Sequence, residues 1–265
     1  MQGAPTENIS LAELLDFTGK TALITGASQG IGAGIARRYH EAGANISIAD
    51  LNDEKAQEVA DELNAKRPDS AVVFKADVTN ADEARSIVNS TIEKFGNVDV
   101  LVANAGVFPM KPVADMESDM LRKVFDINVV GVHNYLQPVV AHMKETGKAG
   151  KIVITLSIDA LRPSASVLSA YDASKHGLYG YMKAAALEFA GDGIQINGLA
   201  PGGILTEGVL GGADAKALID NASAPLGRWG FADDMALSAL FLGSGLNSYA
   251  TGSLFVSDGG TQWNS

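Results

Sequence analysis

Short apolar runs alternate with longer helix-patterned stretches along almost the whole chain, and this rhythm leaves few folds open. Residues 21–25, 45–50, 71–75, 99–103, 151–155, 194–197 and 253–256 read as buried strands. Helical patterns cover 30–42, 53–66, 81–95, 118–146 and 170–190. Stop signals agree with this division: Gly43 and Gly96 follow two of the helices, and Pro68 follows a third. Asp53 is expected to cap the helix that it opens. Strands joined by helices of about ten residues or more run parallel, with helices on both faces of the sheet. A shorter apolar pattern at 9–17 predicts a small docking helix ahead of this α/β core.

The 265 residues suit one large domain, and no Pro/Ser-rich linker or internal repeat divides them. A single domain over 1–265 is expected, with 1–18 as an N-terminal extension and 201–224 as a mobile substrate loop or lid. That loop carries Gly202, Gly203, Gly208, Gly211 and Gly212. A formal net charge of −11 repels phosphate backbones, so nucleic acid is not an expected partner. The chain has no Cys, which removes disulfides, thiolate nucleophiles and Cys-based metal sites and fits a reducing cytosol. Residues 1–20 lack the pattern of a signal peptide, and no apolar run approaches the ~18 residues needed to span a bilayer. A soluble cytoplasmic protein without a membrane partner is expected.

Between the first strand and the first long helix lies Thr25-Gly-Ala-Ser-Gln-Gly-Ile-Gly32. Glycines allow a sharp turn and a backbone-to-backbone approach, and the helix behind them offers free N–H groups suited to a pyrophosphate. The spacing, G-x-x-x-G-x-G, also fits a plain tight turn between strand and helix. Asp50 ends the second strand, where a carboxylate can accept hydrogen bonds from ribose hydroxyls and repel a 2′-phosphate; a turn or cap role is the alternative. No Arg or Lys occupies the glycine turn or positions 51 and 52, which favours NAD(H) over NADP(H).

Tyr171 and Lys175 sit four apart at the start of a predicted helix, so they share a face. An ammonium held beside a phenol stabilises the phenolate and lowers a pKa that is ~10 in free tyrosine. Such a tyrosine can exchange a proton with an alcohol oxygen. A half-buried tyrosine with a surface lysine has the same spacing.

Together with Asp77-Val78, Asn104-Ala-Gly106, Asn128, Ser157, Asn197 through Pro201-Gly202 and Asp258-Gly-Gly260, these motifs form an ordered set. In that order the chain resembles the short-chain dehydrogenase/reductase family from about Gly19 to Gly260. The resemblance implies a single-domain, Rossmann-type, doubly wound parallel sheet. It implies that Tyr171 is the general acid/base, that Lys175 lowers its pKa and bonds the nicotinamide ribose, and that Ser157 holds the substrate oxygen. Asn128 would support a water linking Lys175 to solvent. Gly26, Ser28, Gln29, Gly30, Ile31, Gly32, Asp50 and Leu51 would bind the adenosine and pyrophosphate half. Asp77 and Val78 would contact adenine, and Asn104, Ala105 and Gly106 would line the cofactor. Pro201, Gly202, Ile204 and Thr206 would hold the carboxamide end.

Three departures stand out. Ser157 and Tyr171 are 14 residues apart, one more than the commonest family spacing, so the intervening loop should bulge. Ala103 replaces the first Asn of the usual Asn-Asn-Ala-Gly, and Thr155-Leu156-Ser157 lacks the frequent Ser-Ser pair, leaving Thr155 as the competing hydroxyl donor. His40, His133, His142 and His176 show no metal-ligand spacing, and no metal is expected. Asp159 can accept bonds from the extra hydroxyls of a polyol or sugar substrate, or form a solvated loop pair with Arg162. Trp229 and Trp263 are read as packing or subunit-contact residues. The reading is an NAD(H)-dependent secondary-alcohol dehydrogenase or ketone reductase, a polyol or sugar-like substrate leading over a steroid, terpene or aromatic alcohol. It would be a homodimer or homotetramer joined by the helices at 118–146 and 170–190. The rival class is a non-catalytic dinucleotide sensor on the same fold.

Overall fold

The computed structural model describes residues 6–210, 219 and 224–263. Seven strands form one parallel sheet: β1 (Thr21–Thr25), β2 (Asn45–Asp50), β3 (Ala71–Lys75), β4 (Val100–Ala103), β5 (Lys151–Thr155), β6 (Gln195–Pro201) and β9 (Leu254–Ser257). The order is β3-β2-β1-β4-β5-β6-β9, the doubly wound arrangement that the alternation predicts. A separate parallel pair joins β7 (Ile204–Leu205) to β8 (Gly230–Phe231).

The sheet divides two cores. All five residues of β1 are buried. Ala22 and Ile24 face one core, with Phe17, Ile35, Tyr39 and Leu63, while Leu23 faces the other, with Tyr135, Met143, Leu178 and Met182. This two-residue alternation across a doubly covered strand explains its continuous apolar run. The first core is roofed by α2 (Gly30–Glu41), α3 (Asp53–Lys66) and α9 (Ala232–Gly243). The second is roofed by α4 (Ala81–Phe95), α6 (Gly131–Thr146) and α7 (Ser169–Phe189).

Several expectations are corrected. The 118–146 segment is not one uniform helix: α5 (Ser118–Phe125) passes into a π-helical turn, Asp126–Val130, before α6. The N-terminal helix α1 is four residues, Leu11–Leu14, held by a Ser10–Glu13 capping box. Asn52, not Asp53, caps α3 by accepting from Lys55 N at 3.1 Å, while Asp53 pairs with Lys75 at 2.9 Å. Helix α9 was not anticipated. It packs on α2, where a Cβ at Gly34 would meet Ala232 O at 3.1 Å, and Tyr39 Oη donates to Ala239 O at 2.7 Å. After α8 (Glu207–Leu210), residues 211–218 and 220–223 of the anticipated lid, Gly211 and Gly212 among them, lie outside the described residues, as does the side chain of Trp263. No helix among the described residues is long and apolar enough to cross a membrane.

Candidate active site

Strand order reverses between β1 and β4, so the connections leaving their carboxyl ends diverge and open a crevice. The glycine turn occupies one side. Gly26 has φ +68, and a Cβ there would stand 2.7 Å from Ala105 Cα. A Cβ at Gly32 would stand 2.2 Å from Gly26 O and 2.7 Å from Asn104 Nδ2. Any side chain at either position would pry the turn off the 104–106 segment. Asn104 secures that contact, donating through Nδ2 to Thr25 O at 3.2 Å and Gly26 O at 2.9 Å. Helix α2 begins at Gly30 with no side-chain cap from Gln29, so its first N–H groups remain available to an anion.

Asp50 lies at the carboxyl end of β2. Its oxygens accept from Ser28 N at 2.8 Å and Asn52 N at 2.9 Å, which fixes the carboxylate and leaves lone pairs for further donors. Lys55, absent from the sequence reading, reaches the glycine turn: its Nζ is 3.2 Å from Gln29 Oε1. Asp77 accepts from Thr79 N and Oγ1 at 2.9 and 2.8 Å, and these bonds hold its carboxyl below the usual range.

Ser157 follows β5, and Tyr171 and Lys175 lie on the first turns of α7. Thr155, the competing hydroxyl, is committed elsewhere: Oγ1 donates to Asn104 Oδ1 at 3.2 Å, and its carbonyl accepts from Lys175 Nζ at 2.7 Å. Ser157 and Tyr171 line the same cavity, and Ser157 Oγ donates to Asp159 Oδ2 at 2.8 Å. The π-turn brings Asn128 inward, where it donates to Val107 O at 2.9 Å and Ser174 Oγ at 3.0 Å and accepts from Val107 N at 2.8 Å. A Cβ at Gly106 would stand 3.2 Å from Asn128 Oδ1 and 3.8 Å from Lys175 Nζ, so these side chains flank one glycine.

Lys175 is buried, not a surface lysine, and burial lowers its pKa to about 8. The expected lowering of the Tyr171 pKa is not present in the protein alone. Burial pushes the phenol up to about 12, against a smaller downward pull from the Ser157 hydrogen bond. Lys175 Nζ sits 5.6 Å from the Tyr171 ring centre and spends its short contact on Thr155 O.

One cavity of about 510 Å³ joins these parts. Its lining includes Gly26, Ser28, Gln29, Gly30, Ile31, Asp50, Leu51, Asp77, Val78, Asn104, Ala105 and Gly106 at one end. Ser157, Asp159, Tyr171, Lys175, Pro201, Gly202, Ile204 and Thr206 complete it at the other. Gly32 and Asn128 lie behind this wall and support it. Phe108, Ile127, Leu168 and Val209 also line the cavity; Phe108 and Leu168 lie outside regular elements, and Ile127 and Val209 lie in a π-turn and a four-residue helix, all too short to carry a periodic signal. The Phe108 ring stands edge-on to Tyr171, with centroids 6.1 Å apart. The solvated Asp159–Arg162 pair does not form: Asp159 is buried, and Arg162 donates to Thr261 O at 2.6 Å. In a larger recess of about 810 Å³, Arg37 pairs with Glu62 and Arg38 with Asp233, and Arg67 donates to the carbonyls of His40 and Ala44. Among the described residues, no group of three or more His, Asp or Glu is arranged to hold a metal ion.

The family model described as enoyl-(acyl carrier protein) reductase matches residues 26–262. The chain is 36% identical to a short-chain type dehydrogenase/reductase from Mycobacterium marinum, with TM-score 0.89 over 95% of this chain and 98% of that one. The chain belongs to the short-chain dehydrogenase/reductase family. Another member, the L-rhamnose 1-dehydrogenase (NAD(P)(+)) of Sphingomonas sp., is 35% identical over 91% of this chain and 96% of its own length. A 7α-hydroxysteroid dehydrogenase solved with NADH and 7-oxo glycochenodeoxycholic acid is 30% identical, with TM-score 0.87 over 95% of this chain and 98% of that one. Short-chain dehydrogenase/reductases bind a nicotinamide dinucleotide. This chain's cavity fits one: a side-chain-free cradle at an uncapped helix N-terminus, a fixed carboxylate at the end of β2, and a phenol and an ammonium at the far end.

Proposed function

We propose that the protein is an NAD(H)-dependent oxidoreductase interconverting a secondary alcohol and a ketone. The observation that carries this reading is the convergence of Ser157, Tyr171 and Lys175 on the cavity that also contains the glycine turn and Asp50. Gly26 to Gly32, Asp50, Leu51, Asp77 and Val78 would hold the adenosine and pyrophosphate half. Asn104 to Gly106 and Pro201, Gly202, Ile204 and Thr206 would line the nicotinamide half. When bound, the dinucleotide accepts or supplies the hydride. The protein orients the substrate oxygen between Ser157 and Tyr171 and handles its proton. Tyr171 is the proton donor in reduction and acceptor in oxidation. Lys175 holds positive charge beside it below pH about 8. Asn128 fixes the Val107 backbone and Ser174, and through them the wall at Gly106 and the first turn of α7.

Asp50 favours NAD(H), because a 2′-phosphate would face a fixed carboxylate; Lys55, which reaches the glycine turn, is a cation that would offset part of that repulsion. For the substrate, the wall of Phe108, Leu168 and Val209 gives more support to a ring or chain with apolar bulk than to a polyol. Both oxygens of Asp159 are engaged internally, by Ser157 Oγ at 2.8 Å and Ser164 N at 2.7 Å, which weakens the case for a sugar hydroxyl there. A homodimer or homotetramer would use the exposed Leu121, Val130 and Leu187 on α5, the π-turn and α7. The deciding experiment is a screen of NAD+ reduction over cyclic alcohols, hydroxysteroids, polyols and sugars, repeated with NADP+. Turnover with the apolar cyclic set, abolished in Tyr171→Phe, is expected. Dinucleotide binding without turnover of any substrate would favour the sensor.

A further inference from the structure

One buried carboxylate spends both of its oxygens inside the wall of the candidate active site. Asp159 lies in the single 3-10 turn, Ile158–Ala160, that follows β5, and it is only 4% exposed. Its Oδ1 accepts from Ser164 N at 2.7 Å, and its Oδ2 accepts from Ser157 Oγ at 2.8 Å. Ser164 belongs to the loop between that turn and α7, so one side chain ties Ser157 to the segment that leads to Tyr171. Asp159 also reaches Ser157 through its backbone: Asp159 N donates to Ser157 Oγ at 3.1 Å.

These bonds fix the polarity of the serine. A hydroxyl has one hydrogen and two acceptor lone pairs. The backbone N–H of Asp159 fills one lone pair, and a carboxylate has only lone pairs, so the hydrogen of Ser157 lies on Asp159 Oδ2. Ser157 therefore keeps one lone pair for the cavity and no hydrogen. A bound alcohol can donate its hydrogen there and accept from the Tyr171 phenol. A ketone oxygen carries only lone pairs, so it can take a hydrogen from Tyr171 but meets a lone pair at Ser157. Seating a ketone against Ser157 requires the bond to Asp159 to break, and bonds to an ionised acceptor are the stronger kind.

We propose that Asp159 is a positioning residue that holds Ser157 as a hydrogen-bond acceptor and so makes the site bind alcohol ahead of ketone. The inference rests on the oxidoreductase reading. The loop makes it specific: Ser164 N can only donate, so the atom that faces it must accept. In Asp159→Asn the amide oxygen is therefore required at Ser164, and the amide NH2 is turned to Ser157. Both lone pairs of Ser157 are then filled, and its hydrogen turns to the cavity. The overall equilibrium ties forward and reverse kcat/KM together, so the effect belongs to ground-state binding.

The test uses the secondary alcohol with the highest kcat/KM in the NAD+ screen and the ketone that it yields. Calorimetry measures ketone on enzyme with NAD+ and alcohol on enzyme with NADH, complexes in which no hydride can move. Wild type should bind the alcohol more tightly. Asp159→Asn should raise the ratio of ketone to alcohol affinity by about 10-fold or more, the two affinities moving in opposite directions. A merely loosened loop would weaken both. Ser164→Ala keeps its backbone N–H and should match wild type, and in a Ser157→Ala background Asp159→Asn should leave the ratio unchanged. A second readout needs no substrate: neutron diffraction of the apoprotein exchanged into D2O should place the Ser157 deuteron toward Asp159 Oδ2 in wild type and toward the cavity in Asp159→Asn. A wild-type deuteron directed into the cavity, tighter wild-type binding of ketone, an unchanged ratio in Asp159→Asn, or a ratio that still shifts without Ser157 overturns the proposal. A deuteron directed at Asp159 with no turnover of any alcohol counts against the oxidoreductase reading instead.

Discussion

Single atoms decide the chemistry of this site. Thr155 and Ser157 both carry hydroxyls near Tyr171, but Thr155 is anchored to Asn104, which leaves Ser157 to face the phenol. Tyr171 without its oxygen cannot move a proton, so Tyr171→Phe should lower kcat by about 10²–10⁴-fold. Dinucleotide affinity, read by NADH fluorescence, should be nearly unchanged. Asp50→Ala removes a charged acceptor worth roughly 1.5–3 kcal/mol and leaves Lys55 nearby. The NAD+ over NADP+ preference, measured as a ratio of kcat/KM, should fall by about 10-fold or more. An unchanged ratio would count against Asp50 as the discriminating residue.

At the scale of elements, the contact between α2 and α9 shows how closely the frame that carries the glycine turn is fitted. Tyr39 Oη donates to Ala239 O, and a Cβ at Gly243 would stand 2.0 Å from the Tyr39 Oη. Gly243→Ala should therefore cost about 1–3 kcal/mol by overpacking. Adding Tyr39→Phe removes the clashing atom, so the double variant should be less destabilised than the sum of the singles. Urea unfolding of all three tests this coupling. The π-turn works on the same scale. One extra residue per turn shifts the helix phase, carrying Asn128 inward while α5 and α6 keep a nearly continuous pattern. Periodicity at 118–146 therefore predicts one helix and hides the bulge.

For the whole molecule, burial of lysines links stability to pH. Lys175 and Lys151 have pKa values lowered to about 8 from 10.5, in both cases chiefly by burial. Between those values the unfolded chain binds more protons than the folded one, so stability rises with pH. The rise should begin near pH 8, at up to roughly 1.4 kcal/mol per pH unit for each lysine. Above about pH 10 it should reverse, because Tyr39, Tyr135 and Tyr171 are held protonated by burial while unfolded phenols ionise. Lys175→Met should flatten the rise and abolish turnover. Chemical unfolding of the apoprotein from pH 7 to 10 measures it, and an unaltered slope in the variant would refute the assignment.

The sequence by itself determined the parallel α/β frame and its order of use. Strands buried on both faces need unbroken apolar runs, and parallel strands need long crossovers, so 21–25, 45–50 and 151–155 could be read directly. The glycine turn, Asp50, Tyr171 and Lys175 were legible because local backbone geometry and four-residue helical spacing are written in neighbouring positions; Ser157 came only with the family resemblance. Helix α9 was not, because an apolar helix wedged against α2 carries little amphipathic contrast. Only the tertiary structure decided what each side chain does with its polar atoms. It buried Lys175 against Thr155 O and seated Asp159 on Ser157. Burial and long-range hydrogen bonds depend on what folds over a residue, and that is set by packing between distant segments rather than by local sequence.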